Sequence, residues 1–248
     1  MSRHVVGQGD WPKSTPHEGG LHREATFAQT MVEKVGLAKV TTTTFGGKPP
    51  VLVLIAGTSG VGKSTTAVKL ASSRQFSRLL STDAIREIIR ATSTDENSAL
   101  YRSSFSKGES GEPVLDWEET CLAVEPGVEA TIERARREGI SLILEGVHLQ
   151  PSARILRSWS ESGGISIGIV MCVEDEELHR EFIKQREENS FRRAERYTAA
   201  LPRIRAIQDN LITRAKATQW NILDPTKHLD PLQRIYHWLD LAWNESKS

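Results

Sequence analysis

Val51-Leu52-Val53-Leu54-Ile55-Ala56 runs directly into Gly57-Thr58-Ser59-Gly60-Val61-Gly62-Lys63-Ser64-Thr65. Six apolar residues in a row suit a strand covered on both faces. The next eight fit G-x-x-x-x-G-K-[ST] at every position, in the strand-to-helix context that this phosphate-binding pattern requires. Each position has a physical reason. The glycines let the backbone curl so that several N–H groups point at phosphate oxygens. The helix expected from Lys63 to Ser73 adds the positive end of its dipole. Lys63 brings a mobile cation to the β- and γ-phosphates, and Ser64 offers a hydroxyl to Mg²⁺. An ordinary glycine-rich turn would need none of this combination. Residues Gly57 to Thr65 are therefore the candidate nucleotide site, with ATP and Mg²⁺ as the expected ligands.

Downstream, short apolar segments alternate with helical ones. Strands are expected at 79–82, 141–144, 165–173 and 221–223. Helices are expected at 84–91, 117–138 (with Pro126 early in it or marking a break), most of 175–217 with a break near Asn189-Ser190, and 229–243. Residues 93–116 read as polar and irregular. Alternating strands and helices predict a parallel sheet flanked by helices on both faces. The expected fold is thus an α/β P-loop NTPase fold with five parallel strands, like that of nucleoside-monophosphate kinases. Ligands of such sheets sit beyond the carboxyl ends of the strands.

Upstream, residues 1–48 carry scattered glycines and prolines and the run Thr41 to Thr44. They read as a loosely structured N-terminal extension with one possible short helix over Glu24 to Leu37, and 49–248 as the kinase-type domain. The 248 residues are 38% hydrophobic, enough for a sizeable core. Basic and acidic residues number 32 each, so no global field favours nucleic acid. No apolar run approaches the roughly 20 residues of a membrane span. A cytoplasmic protein without nucleic-acid or membrane partners is expected; nothing in the sequence sets an oligomeric state. Cys121 and Cys172 form no metal-binding pattern and read as buried, reduced thiols.

Two acids stand at strand ends. Asp83, in Leu80-Ser81-Thr82-Asp83-Ala84-Ile85-Arg86, could accept a proton from an attacking hydroxyl. The alternative is a helix cap, and the two are compatible. Arg86, one turn on, could bind an anionic group of an acceptor. Glu145, in Leu142-Ile143-Leu144-Glu145-Gly146-Val147-His148, stands where such folds organise Mg²⁺ and its waters; a substrate-binding or structural acid is the alternative. His148 reads as structural or substrate-facing. Between Leu178 and Arg205 eight basic residues face four acidic ones. Among them Arg186, Arg192 and Arg193 are candidates for a mobile catalytic lid; a solvated helix face is the bland alternative. Asn221 to Thr226 would lie near an adenine by fold analogy.

The motifs together resemble the 2-phosphoglycerate kinases. The carriers are Ala56 to Thr65, Ser81-Thr82-Asp83-Ala84-Ile85-Arg86, Tyr101-Arg102-Ser103-Ser104-Phe105, Leu144-Glu145-Gly146-Val147-His148-Leu149, and the stretch from Arg196-Tyr197 to Ile207-Gln208, across about Val51 to Asp224. The resemblance implies transfer of phosphate from ATP to the 3-hydroxyl of 2-phosphoglycerate. It implies that Asp83 and Arg86 face the acceptor, that Tyr101 to Phe105, Ser104 included, help form its pocket, and that Lys63 and Ser64 hold ATP and Mg²⁺. Residues 1–48 do not look like the ATP-cone-like segment of archaeal members. Rival expectations are a kinase for another small phosphorylated or hydroxylated acceptor, and a regulatory nucleotide switch without an acceptor.

Overall fold

The computed structural model describes residues 49–247 except 75, 94–97 and 189–193; at 98, 186–188, 194 and 195 it describes the backbone alone. The expected extension, the short helix expected within it, and lid candidates Arg192 and Arg193 lie outside the described residues, as does the side chain of Arg186.

Five parallel strands form one sheet in the order β2-β3-β1-β4-β5. These are β1 (Val51–Ala56), β2 (Arg78–Ser81), β3 (Leu142–Gly146), β4 (Ile165–Met171) and β5 (Asn221–Leu223). The helices are α1 (Lys63–Arg74), α2 (Thr82–Thr92), α3 (Ser98–Tyr101), α4 (Pro113–Arg137), α5 (Ala153–Glu161), α6 (Glu176–Glu188), α7 (Ala194–Ala199), α8 (Leu201–Thr218) and α9 (Pro231–Glu245). The expected five-stranded α/β architecture is the one observed.

β1 shows why its run is apolar throughout. Leu52, Leu54 and Ala56 join the core that includes α4 and α8, while Val53 and Ile55 join the one that includes α1 and α9. Both faces of the strand are dry, as period-two alternation between two helical layers demands. β1 pairs with β3 on one side and β4 on the other, although β2 follows it in sequence. The chain therefore reverses direction across the sheet at β1, and a crevice opens at its carboxyl end.

Several boundaries differ from expectation. β2 ends at Ser81, so Thr82 opens α2 instead of closing the strand. β3 extends through Glu145 and Gly146, which places the acid inside the strand. β4 ends at Met171, two residues short of the expected Val173. α4 begins at Pro113 and passes through Pro126 unbroken. Pro126 and Leu122 are both exposed, so the carbonyl that loses its helical partner can turn to water. Residues 93–116 are not wholly irregular, since they contain α3 and the first turn of α4. The expected break near Asn189-Ser190 lies outside the described residues; a boundary that was not expected falls at Ala200, where Pro202 sits in the first turn of α8.

Cys121 and Cys172 are free and buried. Burial raises both thiols, Cys172 to about 12, so neither is a ready nucleophile. Among the described residues, no helix is long and apolar enough to cross a membrane.

Candidate active site

The glycine loop between β1 and α1 closes around its own lysine. Lys63 is buried, and its Nζ donates to the Thr58 carbonyl at 2.7 Å. Ser64, one residue on, donates its hydroxyl to Glu145 Oε1 at 2.8 Å. Glu145 is itself buried at the end of β3. Two residues 81 positions apart thus present hard oxygen atoms side by side, beside the phosphate loop. That donor set fits Mg²⁺, which takes one or two protein oxygens and completes its shell with water and phosphate. Among the described residues no group of three or more His, Cys, Asp or Glu could hold a metal by itself.

A cleft of about 300 Å³ runs from this loop toward α2. Its lining includes Ser59, Lys63 and Ser64 from the phosphate loop, Asp83 and Arg86 from α2, and Glu145 and Gly146 from β3. Ser103, Ser104 and Phe105 close the far side, with Tyr197 from α7. Of the sequence-predicted residues, Ser59, Lys63, Ser64, Asp83, Arg86, Ser104 and Glu145 therefore meet in one space. Tyr101 and His148 do not line it. Tyr101 is exposed, and Arg90 lies over its ring at 4.9 Å from the centroid. A larger groove of about 480 Å³ between α4 and α5 lies away from the phosphate loop, and none of the predicted site residues lines it.

Asp83 occupies the first turn of α2 but does not cap it. The N-cap is Ser81, whose Oγ accepts the Ala84 N–H at 3.1 Å. The cap reading of Asp83 is corrected by that one-residue shift of the strand end. Its carboxylate lies 3.7 Å from Nδ1 of His148, whose side chain is fully buried. The same nitrogen lies 3.1 Å from Thr82 Oγ1. Burial drives the His148 pKa down to about 4; Asp83 pulls it up, and Arg86 and Lys63 push it down further. His148 is therefore neutral near pH 7 and stands behind Asp83 as a polar support. Gly146 makes this corner possible, because a Cβ there would lie 1.8 Å from Thr82 Oγ1.

Arg86 donates to the Arg102 carbonyl at 3.2 Å, and its side chain is largely buried. It thus joins α2 to the loop that carries Ser103 and Ser104. That loop is clamped from the other side by Arg203 of α8. Its guanidinium donates to the carbonyls of Phe105 (2.9 Å), Gly111 (2.8 Å) and Ser106 (3.3 Å), and to Asp116 Oδ2 at 2.7 Å. Asp116 is fully buried in α4 and also accepts from the N–H and hydroxyl of Ser110. Burial alone would raise its pKa; hydrogen bonds from Ser110, the Gly108 backbone and Arg203 outweigh that and hold it well below the usual range.

Sequence reading missed the Arg203–Asp116 pair. One signal was available: Asp116 falls on the stripe Thr120, Val124, Val128 and Ile132 that faces the core, where an acid needs a partner.

The basic segment divides by contact. Arg180 pairs with Glu176 and Glu177 of its own helix, the bland reading. Arg205 donates to the carbonyls of Val173 (2.6 Å) and Glu174 (2.9 Å), which fixes the turn after β4. Arg196 donates to Ser106 Oγ at 3.0 Å and lies 5.6 Å from the Phe105 ring centroid. Asp224 is buried after β5 and accepts from Glu174 N–H and from Thr226, so it ties two strand ends together.

A parallel sheet that changes direction at a glycine loop, with lysine, serine and a strand-end carboxylate converging there, defines a P-loop nucleotide-binding fold like that of nucleoside-monophosphate kinases. The chain belongs to the AAA domain family, which matches residues 52–211. Among curated proteins it is similar to the 2-phosphoglycerate kinase of Methanocaldococcus jannaschii, 35% identical over 68% of this chain and 57% of that one. It is likewise similar to the 2-phosphoglycerate kinase of Pyrococcus horikoshii, 36% identical over 76% of this chain and 64% of that one. The chain thus spans less than two thirds of either relative's length. One solved structure, a shikimate kinase from Acinetobacter baumannii in complex with shikimate, aligns over 82% of this chain and 93% of its own, at 16% identity and a TM-score of 0.41.

Proposed function

We propose that this protein is an ATP-dependent small-molecule kinase that phosphorylates the 3-hydroxyl of 2-phosphoglycerate to give 2,3-bisphosphoglycerate. One observation carries the reading: a single cleft joins Lys63 and Ser64 to Asp83, Arg86, Ser103 and Ser104. A nucleotide switch needs only the first pair. A carboxylate, a guanidinium and two hydroxyls beyond the γ-phosphate position suit a second substrate with both an anionic group and a hydroxyl. The similarity to 2-phosphoglycerate kinases supports 2-phosphoglycerate as the particular acceptor.

In this reading the phosphate loop and Lys63 bind the ATP phosphates. Ser64 and Glu145 hold Mg²⁺, which neutralises phosphate charge when bound. Arg86 with Ser103 and Ser104 anchors the acceptor's phosphate or carboxylate, with bonds to charged groups stronger than neutral ones. Asp83 accepts the proton of the attacking hydroxyl as its oxygen bonds to the γ-phosphorus and the bond to the ADP oxygen breaks. Arg186 and Arg192 remain candidates for a lid over the transferring group. The small acceptor and a cytoplasmic location complete the proposal.

The test is incubation with MgATP and a panel of phosphorylated acids, with ADP release as readout. Release dependent on 2-phosphoglycerate is expected. Release dependent on another acid would replace the acceptor, and release equal with or without any acid would replace the kinase reading with a switch.

A further inference from the structure

His179 is completely buried on α6, and its Nε2 lies 2.8 Å from the carbonyl oxygen of Ser59 in the phosphate loop, 120 positions away in sequence. A carbonyl can only accept, so Nε2 carries the proton and donates. Burial lowers the imidazole's pKa and so favours its neutral form, in which the second nitrogen is a bare acceptor. That atom, Nδ1, is buried without a hydrogen-bond partner among the described residues. An apolar side chain of similar volume would fill the position without an orphaned acceptor. Packing therefore gives no reason for an imidazole here, and the bond to Ser59 does.

The bond matters because of peptide geometry. The Ser59 carbonyl and the Gly60 N–H belong to one trans peptide unit and point in opposite directions. Holding the carbonyl toward α6 turns the Gly60 N–H away from α6. Phosphate loops bind by N–H groups turned in one direction, and a flipped peptide would present an oxygen to an anion instead. Gly60, with φ at +86°, is one of the loop glycines held in the left-handed region, where a peptide can turn without a side chain in the way. The helix is seated tightly on it: a Cβ at Gly60 would lie 2.6 Å from Ile183 Cγ1 and 3.3 Å from His179 Cδ2. Both contacts come from α6, which leads into the arginine-bearing segment.

We infer that His179 is a positioning residue for nucleotide phosphate, a donor that locks the Ser59–Gly60 peptide in its anion-binding orientation and joins the root of the arginine segment to the phosphate loop. The inference rests on the nucleotide-binding part of the proposed function and not on the acceptor.

Three variants of the full chain separate this role from packing. In His179→Gln the amide nitrogen falls near the position of Nε2, so the donor is kept. In His179→Asn the amide falls near Nδ1 and cannot reach Ser59. His179→Leu fills the space without a donor. ATP and ADP affinity is measured by calorimetric titration, with a thermal melt for each protein. His179→Gln should keep nucleotide affinity within about threefold, while His179→Asn and His179→Leu lose about tenfold or more, the equivalent of one hydrogen bond. The Leu variant should melt close to the parent. Equal affinity in the parent and in the Asn and Leu variants would overturn the inference while leaving the nucleotide site intact. Losses in all three variants that track a lowered melting temperature would reduce His179 to a packing residue. Failure of the parent itself to bind ATP would overturn the underlying functional reading instead.

Discussion

Ser81 closes the first turn of α2, and that leaves the Asp83 carboxylate in the cleft without a capping duty. Asp83→Asn should therefore keep the melting temperature and ATP affinity, while kcat falls by roughly 10² to 10⁴, the span of general acid–base assistance. Unchanged turnover would move the proton-accepting role away from Asp83. Arg86→Ala should raise the acceptor KM about thirtyfold with little change in the ATP KM, the cost of one charge-assisted contact. Equal effects on both constants would make Arg86 only a support for the Arg102 carbonyl. His148 gives a pH signature. Its folded pKa of about 4 lies below its ordinary 6.5, so its neutral burial is tolerated above pH 6.5 and opposes folding increasingly as pH falls toward 4. From pH 7.5 to 5 this one group should lower stability by about 2 kcal/mol, a loss that His148→Gln removes. Urea unfolding of both proteins at the two pH values checks it; equal slopes would contradict the burial argument. At this scale Lys63, Ser64 and Glu145 were legible because motif and strand position fix them. The exchange of roles between Ser81 and Asp83 was not, since it turns on where a four-residue strand stops.

Among the elements, the loop between α3 and α4 owes its shape to α8. Arg203 reaches three of its carbonyls and meets Asp116 across 87 positions of sequence. Sequence periodicity located both helices but says nothing about which side chain of one meets which of the other, so the clamp was invisible until the helices were placed. Removing the guanidinium strands a buried carboxylate. Arg203→Ala should cost about 3–5 kcal/mol of stability and raise the acceptor KM by loosening Ser103 and Ser104. Arg203→Lys should recover little, because an ammonium cannot bridge several fixed acceptors at once. Chemical denaturation and steady-state kinetics on the two variants check this, and a lysine variant equal to the parent would contradict it. The Asp116 carboxylate adds a direction. Its folded pKa is depressed, so its contribution is present above the ordinary 3.8 and disappears as pH falls below that value. Pro126 teaches a related lesson. A proline inside a helix signals a break only when its lost hydrogen bond cannot be replaced, and the exposed Leu122 side of α4 lets water replace it.

For the molecule as a whole, the apolar run before the glycine loop and the alternation after it were enough to predict the layered parallel sheet. The order of its strands required the structure, because parallel strands joined by helices can return to either side of their predecessor. That order puts the carboxyl ends of β1 and β3 next to each other, which is why Lys63, Ser64 and Glu145 meet. The central claim is that the phosphate loop and the Asp83–Arg86–Ser104 wall serve one transfer. Phosphorus NMR of the reaction of MgATP with 2-phosphoglycerate tests it most directly. ADP is expected together with a product carrying phosphate at both the 2- and the 3-position, formed in equal amounts and abolished in Lys63→Ala. ADP accompanied only by inorganic phosphate, with 2-phosphoglycerate unchanged, would contradict it.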